Sequence, residues 1–576
     1  MKVLVLLLGS AALFAQAKRP TFTVVEAGIP EMKAALEQGR VTSRELVTQY
    51  LTRIALYENK LHAVITVNPH VLEDADEKDR ERAQGRARGP LHGIPIALKD
   101  NVLTRDIVTT GGALAFDGYL PPYDATLVKN LRDAGAIIIA KTTLSELANW
   151  VAGAPTPMPG NYNGVRGFAY NPYDPRRDPR EGNNDGRPVL QTGGSSSGAG
   201  TAANFWAGNV GSETSGSILS PSNQNMLAAV KPTVGRISRY GVIPITADQD
   251  TAGPMAKTVT DAAIMLGALE SPAADPNDAA TKTCTPPPGR DYTKFLKADA
   301  LKGARIGIPR AFFYDKFTPP GPPHAGRGGG GGGRGPEGLP VEQARAMTEA
   351  IDVLKQQGAL IVDPADIPSV ITQDPEKSFL LWGQCSGLNS VKGRDADCSS
   401  VLKYGMKRDF NAWLATLGPS APVKTLTELR VWNITHIQGG AIRFGQSQLD
   451  ISDEIDLVAD RARYESDRAK DLALAGAQGI DAVMKANNLD AILFPGASGA
   501  GIAAKPGYPT VIVPFAMVPN AGGFGANATF PAGFEAKPSP FGVSFTGMAC
   551  SEPKLLGLAF AFEQATKKRV PPAAVP

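Results

Sequence analysis

Apolar and polar positions alternate along this chain in a way that sets helices against short buried strands. Two helices are predicted between Val25 and Asn59. Ile29-Pro30-Glu31-Met32 opens the first, and Thr42-Ser43-Arg44-Glu45 opens the second behind a hydroxyl suited to capping free N–H groups. Leu72 to Gln84 is charged and predicts an exposed helix. The period then changes: Gly93-Ile94-Pro95-Ile96-Ala97-Leu98 is short, apolar and bounded by turn residues, which predicts a strand. A helix over Ala125 to Ala134 leads into Ala136-Ile137-Ile138-Ile139-Ala140, a continuous apolar run of the kind a sheet buries on both faces. The Ala-rich segment Ala199 to Val210 reads as a buried helix. Further on, 341–357, 453–477 and 552–568 read as helices, and 489–495 and 509–514 as buried strands. Strands alternating with helices predict an α/β fold, a single large domain over residues 18–576 with a mixed, largely parallel central sheet sandwiched by helices.

Two stretches break this rhythm. Pro172 to Pro188 is polar and reads as a surface loop. Phe317 to Pro340 holds six consecutive glycines, Gly328 to Gly333, and reads as a flexible insertion at about 317–340. The chain contains no Gly-Lys dipeptide, so this run is not a phosphate-cradling loop.

Composition narrows the class. Of 576 residues 43% are hydrophobic and 20% charged, ordinary for a globular protein, and a net charge of +3 argues against nucleic acid as partner. Lys2, the apolar run Val3 to Phe14 and Ala15-Gln16-Ala17 have the layout of a secretory signal peptide over residues 1–17. That run is too short to span a bilayer, and no later one reaches transmembrane length, so no membrane anchor is expected. The mature protein is expected outside the cytosol, periplasmic or secreted, where Cys385 and Cys398 are able to close a small loop. There is no C-x-x-C, H-E-x-x-H or His/Cys cluster, so neither metal nor cofactor is expected.

The chemistry concentrates in hydroxyls. Gly193-Gly194-Ser195-Ser196-Ser197-Gly198 is followed by Gly211-Ser212-Glu213-Thr214-Ser215-Gly216-Ser217-Ile218. A serine hydroxyl needs a base to become a nucleophile. Of the five histidines (His62, His70, His92, His324 and His436) none falls late in the chain, where the order Ser, Asp, His of an α/β-hydrolase would place it. The formal G-x-S-x-G match at Ser196 lacks a preceding apolar strand, and an esterase centred on Ser196 is the alternative it leaves open. Lys99 ends the strand Ile94 to Leu98. A lysine base at neutral pH must fall from ~10.4 to near 7, a shift worth about 4 kcal/mol that burial supplies. The competing reading is a strand-end lysine paired with Asp100. The small, turn-prone Thr214-Ser215-Gly216-Ser217 offers backbone N–H groups able to converge on an oxyanion.

Lys99 in its strand, Gly-Gly-Ser-Ser-Ser-Gly and Gly-Ser-Glu-Thr-Ser-Gly-Ser-Ile, in that order, resemble the amidase signature family of Ser-cis-Ser-Lys hydrolases. Ala140 to Asn149, Lys231 to Arg236, Gln249 to Met255 and Gly507-Tyr508-Pro509 resemble further blocks in family order, over most of Val25 to Lys568. The resemblance implies Ser217 as nucleophile, Lys99 as base and Ser195 as the bridging serine, after a cis Gly194–Ser195 peptide. It implies an oxyanion hole from the N–H groups of Thr214, Ser215, Gly216 and Ser217. It implies hydrolysis of an amide through an acyl-enzyme, with no cofactor; a monomer or homodimer is expected. Ser215 stands where the family has Gly and Leu219 where it has Arg, so an ion pair usual there is expected to be absent. The Ser195–Ser217 spacing is two residues short of the family's. Thr425 to Asn433, Phe444-Gly445-Gln446 and the Glu-Thr-x-Gly-Ser variant look most like the peptide-amidase branch, which implies C-terminal peptide amides or small amides as substrates. A catalytically inactive exported binding protein on the same fold is the remaining alternative.

Overall fold

The computed structural model describes residues 22–183, 185–194, 198–321, 337–387, 397–520 and 529–576. The leader-like segment, Ser195 to Ser197 and the glycine run therefore lie outside the described residues. Thirteen strands are described: β1 Val64–Val67, β2 Pro95–Lys99, β3 Ile137–Thr142, β4 Tyr162–Asn163, β5 Gly167–Phe168, β6 Gly208–Glu213, β7 Ala228–Lys231, β8 Thr251–Ala256, β9 Arg305–Gly307, β10 Leu360–Val362, β11 Ala491–Pro495, β12 Thr510–Val518 and β13 Ser539–Thr546. Eleven form one sheet in the order β1-β3-β2-β6-β8-β7-β12-β13-β11-β9-β10, and β4 and β5 make a separate hairpin.

The α/β, single-domain architecture is as expected, and the sheet is mixed. Its parallel pairings lie in two blocks, β3-β2-β6 and β11-β9-β10. The centre, β6-β8-β7-β12-β13-β11, and the β1 edge are antiparallel. Parallel pairing needs a crossover, usually helical. The β2-to-β3 link contains one, the helix Thr126–Asp133, whereas β7 reaches β8 without one.

Local chemistry explains the elements that were legible. The helix Ser43–Leu61 starts on a capping box: Glu45 N donates to Thr42 Oγ1 at 3.1 Å, and Thr42 N donates to Glu45 Oε2 at 2.8 Å. β2 and β3 are buried at every position, as their unbroken apolar runs require. The segment 199–210 departs from expectation. Its helix is only Ala199–Ala202, Asn204 turns left-handed at φ 56°, and the chain enters β6 at Gly208. Asn tolerates that conformation, and a helix cannot continue through it.

A second apolar core, separate from that of the sheet, joins Leu103, Trp150, Val151, Ile243 and Ile245 to the helices Val401–Thr416, Leu426–Thr435 and Ser447–Asp453. Ile243 N donates to Asn101 O at 2.8 Å, which seats this helical layer beyond the C-terminal end of β2. Two disulfides are present. Cys385–Cys398 is the foreseen pair, while Cys284–Cys550 joins residues 266 apart and had no local signal. Among the described residues no helix is long and apolar enough to cross a membrane.

Candidate active site

The site grows from two adjacent parallel strands that end at the same edge. β2 and β6 are paired with Leu98 opposite Val210, so Lys99 emerges beside Gly211 and Ser212. Carboxyl ends of parallel strands are where an open α/β sheet exposes chemistry. Lys99 has no exposed surface, and its Nζ donates to Ser212 O at 3.2 Å and Ser212 Oγ at 2.8 Å. Asn101 Nδ2 donates to the same Oγ at 2.9 Å. Burial drives the ammonium down to about 7, with Asp250 and Glu213 pulling the other way. A neutral amine that gives two N–H bonds to Ser212 has its lone pair directed by them. The competing partner is otherwise engaged: Asp100 lies 3.3 Å from the buried Lys141 and accepts from Thr110.

β6 continues into the turn that carries Ser217. Gly216 takes a left-handed φ of 87°, and Gly216 O accepts from Ser220 N at 2.7 Å as the short helix Leu219–Gln224 begins. The Glu213 carboxylate spans this turn: its Oε2 accepts from Ile218 N at 2.7 Å and Leu219 N at 3.0 Å, the two peptides that follow Ser217. Leu219 itself is buried. Asp250 braces the other side. Its Oδ1 accepts from Thr214 Oγ1 at 2.5 Å and its Oδ2 from Ile245 N and Thr246 N at 2.8 and 3.0 Å. Burial raises Asp250 to about 6. Thr214 and Ser217 keep 8% exposure, and among the described residues the N–H groups of Gly216 and Ser217 have no acceptor. That is the condition for N–H groups that stabilise an anion.

The first serine-rich segment arrives against this turn. A Cβ on Gly194 would lie 2.9 Å from Ser217 Cα and 3.4 Å from Ser217 Oγ. Gly193 has φ 81°, and a side chain there would strike Pro221 N at 2.3 Å, so both positions require glycine. Ser195 and the Gly194–Ser195 peptide bond lie outside the described residues, as does Ser196. Lys99, Thr214, Ser215, Gly216 and Ser217 are thus gathered at one end of the sheet, with Gly194 touching the last.

The described histidines are occupied elsewhere. His92 is buried with Nε2 3.0 Å from Lys78 O, His62 contacts Phe168 O, His70 is exposed and His436 stacks on Trp432. Asn101, Ser212, Glu213 and Asp250 were not singled out from the sequence. Ser212 and Glu213 stood inside the motif itself, and Asp250 inside the block Gln249 to Met255; only their partners were hidden. Among the described residues no cluster suited to a metal ion occurs.

Comparisons with known proteins follow the same lines. A family model described as Amidase matches residues 45–322. A probable amidase of Arabidopsis thaliana is 32% identical over 96% of this chain and 92% of its own length. The native peptide amidase from Stenotrophomonas maltophilia superimposes with a TM-score of 0.75 at 33% identity, over 96% of this chain and 99% of that one. The peptide amidase PAM in complex with the competitive inhibitor chymostatin gives a TM-score of 0.74 at 33% identity, over 95% of this chain and 99% of that one.

Proposed function

This chain belongs to the amidase signature family and is an amide-hydrolysing enzyme, and we propose that it works through an acyl-enzyme on Ser217 with C-terminal peptide amides or small amides as substrates. Ser217 Oγ attacks the amide carbonyl carbon. Lys99, brought down to about 7 by burial and so available in part as the free amine at neutral pH, takes the serine proton by way of Ser195. The oxyanion rests on the N–H groups of Thr214, Ser215, Gly216 and Ser217. On collapse the C–N bond breaks, the proton passes to the leaving nitrogen, and ammonia or an amine departs. Water then adds to the ester, the same base removes its proton, and the carboxylic acid is released with Ser217 restored. No step calls for a cofactor.

One observation carries the mechanism: a fully buried lysine, held near pH 7 and hydrogen-bonded to Ser212, at the strand end beside the Ser217 turn. Similarity to peptide amidases over nearly the whole chain supports the substrate class. We place the enzyme outside the cytosol, a reading supported by the leader-like Lys2 to Ala17 and by two disulfides, which persist in oxidising compartments.

The test is ammonia or amine release from C-terminal peptide amides, aliphatic amides, aryl amides and esters, with Ser217→Ala and Lys99→Ala alongside. Turnover of peptide amides, lost in both variants and inhibited competitively by chymostatin, is expected. Turnover that survives in both variants would overturn the assignment.

A further inference from the structure

Asn161 and Ser145 do something the family motifs do not announce. Both are fully buried, and they come from different places: Ser145 follows β3, and Asn161 precedes the β4–β5 hairpin with a left-handed φ of 61°. The Asn161 amide Nδ2 donates to the carbonyl oxygens of both Gly193 and Gly194, the second at 2.9 Å. Among the described residues its Oδ1 has no partner, so the side chain's hydrogen bonds there go to these two carbonyls. Ser145 Oγ donates to Gly194 O at 3.2 Å and accepts from Asn161 N at 2.7 Å, which locks the two residues together. On the opposite side Gly194 N donates to Ser220 Oγ at 3.3 Å, and Gly194 packs on Ser217. The Gly193–Gly194 pair is therefore held between an amide-hydroxyl clamp and the nucleophile turn.

We propose that Ser145 and Asn161 are positioning residues for catalysis: by holding the Gly193 and Gly194 carbonyls they seat the chain leading into Ser195 against Ser217. Neither touches the reacting atoms. They act through the Gly193 and Gly194 carbonyls, which they hold on the side of this segment away from Ser220 and Ser217. This inference rests on the reading of Ser217 as nucleophile.

Asn161→Asp tests it with almost no change in shape. An oxygen then faces two carbonyl oxygens in place of two N–H donors, which repels the segment instead of holding it. Ser145→Ala removes one donor and is the milder variant. Steady-state kinetics on the amide best turned over by the wild type, corrected for folded enzyme, are compared with Ser217→Ala. We expect kcat to fall about 100-fold in Asn161→Asp and about tenfold in Ser145→Ala, with KM within about threefold, because misplacing a reacting group by an ångström costs that much. A second readout separates positioning from general stability. Protonating the new carboxyl regenerates one donor, so the deficit of Asn161→Asp relative to wild type narrows as pH falls from about 8 to about 6, its carboxyl being raised by burial. Values of kcat within about twofold of wild type in both variants, while Ser217→Ala is dead, would overturn the clamp alone. A loss carried by KM, or a deficit independent of pH, would overturn it too. Full turnover in Ser217→Ala would instead remove the reading on which it rests.

Discussion

Replacing Lys99 by methionine removes the base and is expected to make the protein more stable at neutral pH. Lys99 has no exposed surface and sits at about 7 in the fold, against ~10.4 in an unfolded chain. Between those values the unfolded chain binds more protons than the native state, so this lysine makes wild-type stability rise with pH. The penalty for keeping it is about 4 kcal/mol at pH 7, about 2 at pH 9 and about 1 at pH 10. Methionine has similar length and no charge. It also gives up the hydrogen bonds to Ser212 O and Oγ, a loss of about 2 kcal/mol that does not depend on pH. The variant should therefore exceed wild type by about 2 kcal/mol at pH 7 and fall below it by about 1 at pH 10. Spread over an unfolding entropy scaled to 576 residues, the first figure corresponds to a melting temperature raised by about 2 °C.

The assay is urea and thermal unfolding of both proteins at pH 7, 8, 9 and 10, read as the difference between them. Other titrating groups cancel in that difference, so its slope reports Lys99 alone. The same ionisation should appear in wild-type kcat/KM as an acid limb near pH 7, falling about tenfold for each further pH unit. A stability difference that stays constant from pH 7 to 10 would mean that Lys99 is charged in the fold, and the neutral-base argument would fail.

Three further outcomes follow from the same geometry. Gly194→Ala places a Cβ 2.9 Å from Ser217 Cα, so kcat on any amide substrate should drop about 100-fold; retention of activity would show that the turn yields. Asp250→Asn swaps one carboxylate oxygen for an NH₂ and breaks either the Thr214 contact or the pair of N–H bonds from Ile245 and Thr246, lowering kcat about 10- to 100-fold. It also removes a charge that raises Lys99, so the acid limb of kcat/KM should move to lower pH, and a limb that moves upward would contradict the assignment. Replacing both Cys284 and Cys550 by serine frees two segments 266 residues apart and should cost roughly 2–5 kcal/mol in urea unfolding, with kcat at 25 °C unchanged.

What could be read from the sequence was whatever depends on neighbours in the chain. The unbroken Ile137-Ile138-Ile139 run had to be a doubly covered strand, and the Thr42–Glu45 pair had to cap a helix, because each signal is complete within a few residues. Lys99 and the 211–218 motif were visible for the same reason. The pairing direction of the sheet was not, since antiparallel β7 and β8 are short, apolar and joined by an irregular segment with no hairpin signature. The 199–210 segment misled because alanine favours a helix locally, whereas Phe205, Trp206 and Ala207 are buried where the chain turns into β6. The supports of the site were hidden for a deeper reason. Glu213 reaches only five and six residues ahead, yet its carboxylate is recognisable as a clamp only once Ile218 and Leu219 turn their N–H groups back toward it. Asn161 lies 32 residues from Gly193, in a loop whose composition marks a turn and nothing more. A motif names the atoms that react; the groups that aim them are defined by directions in space, and those directions exist only after the sheet has formed.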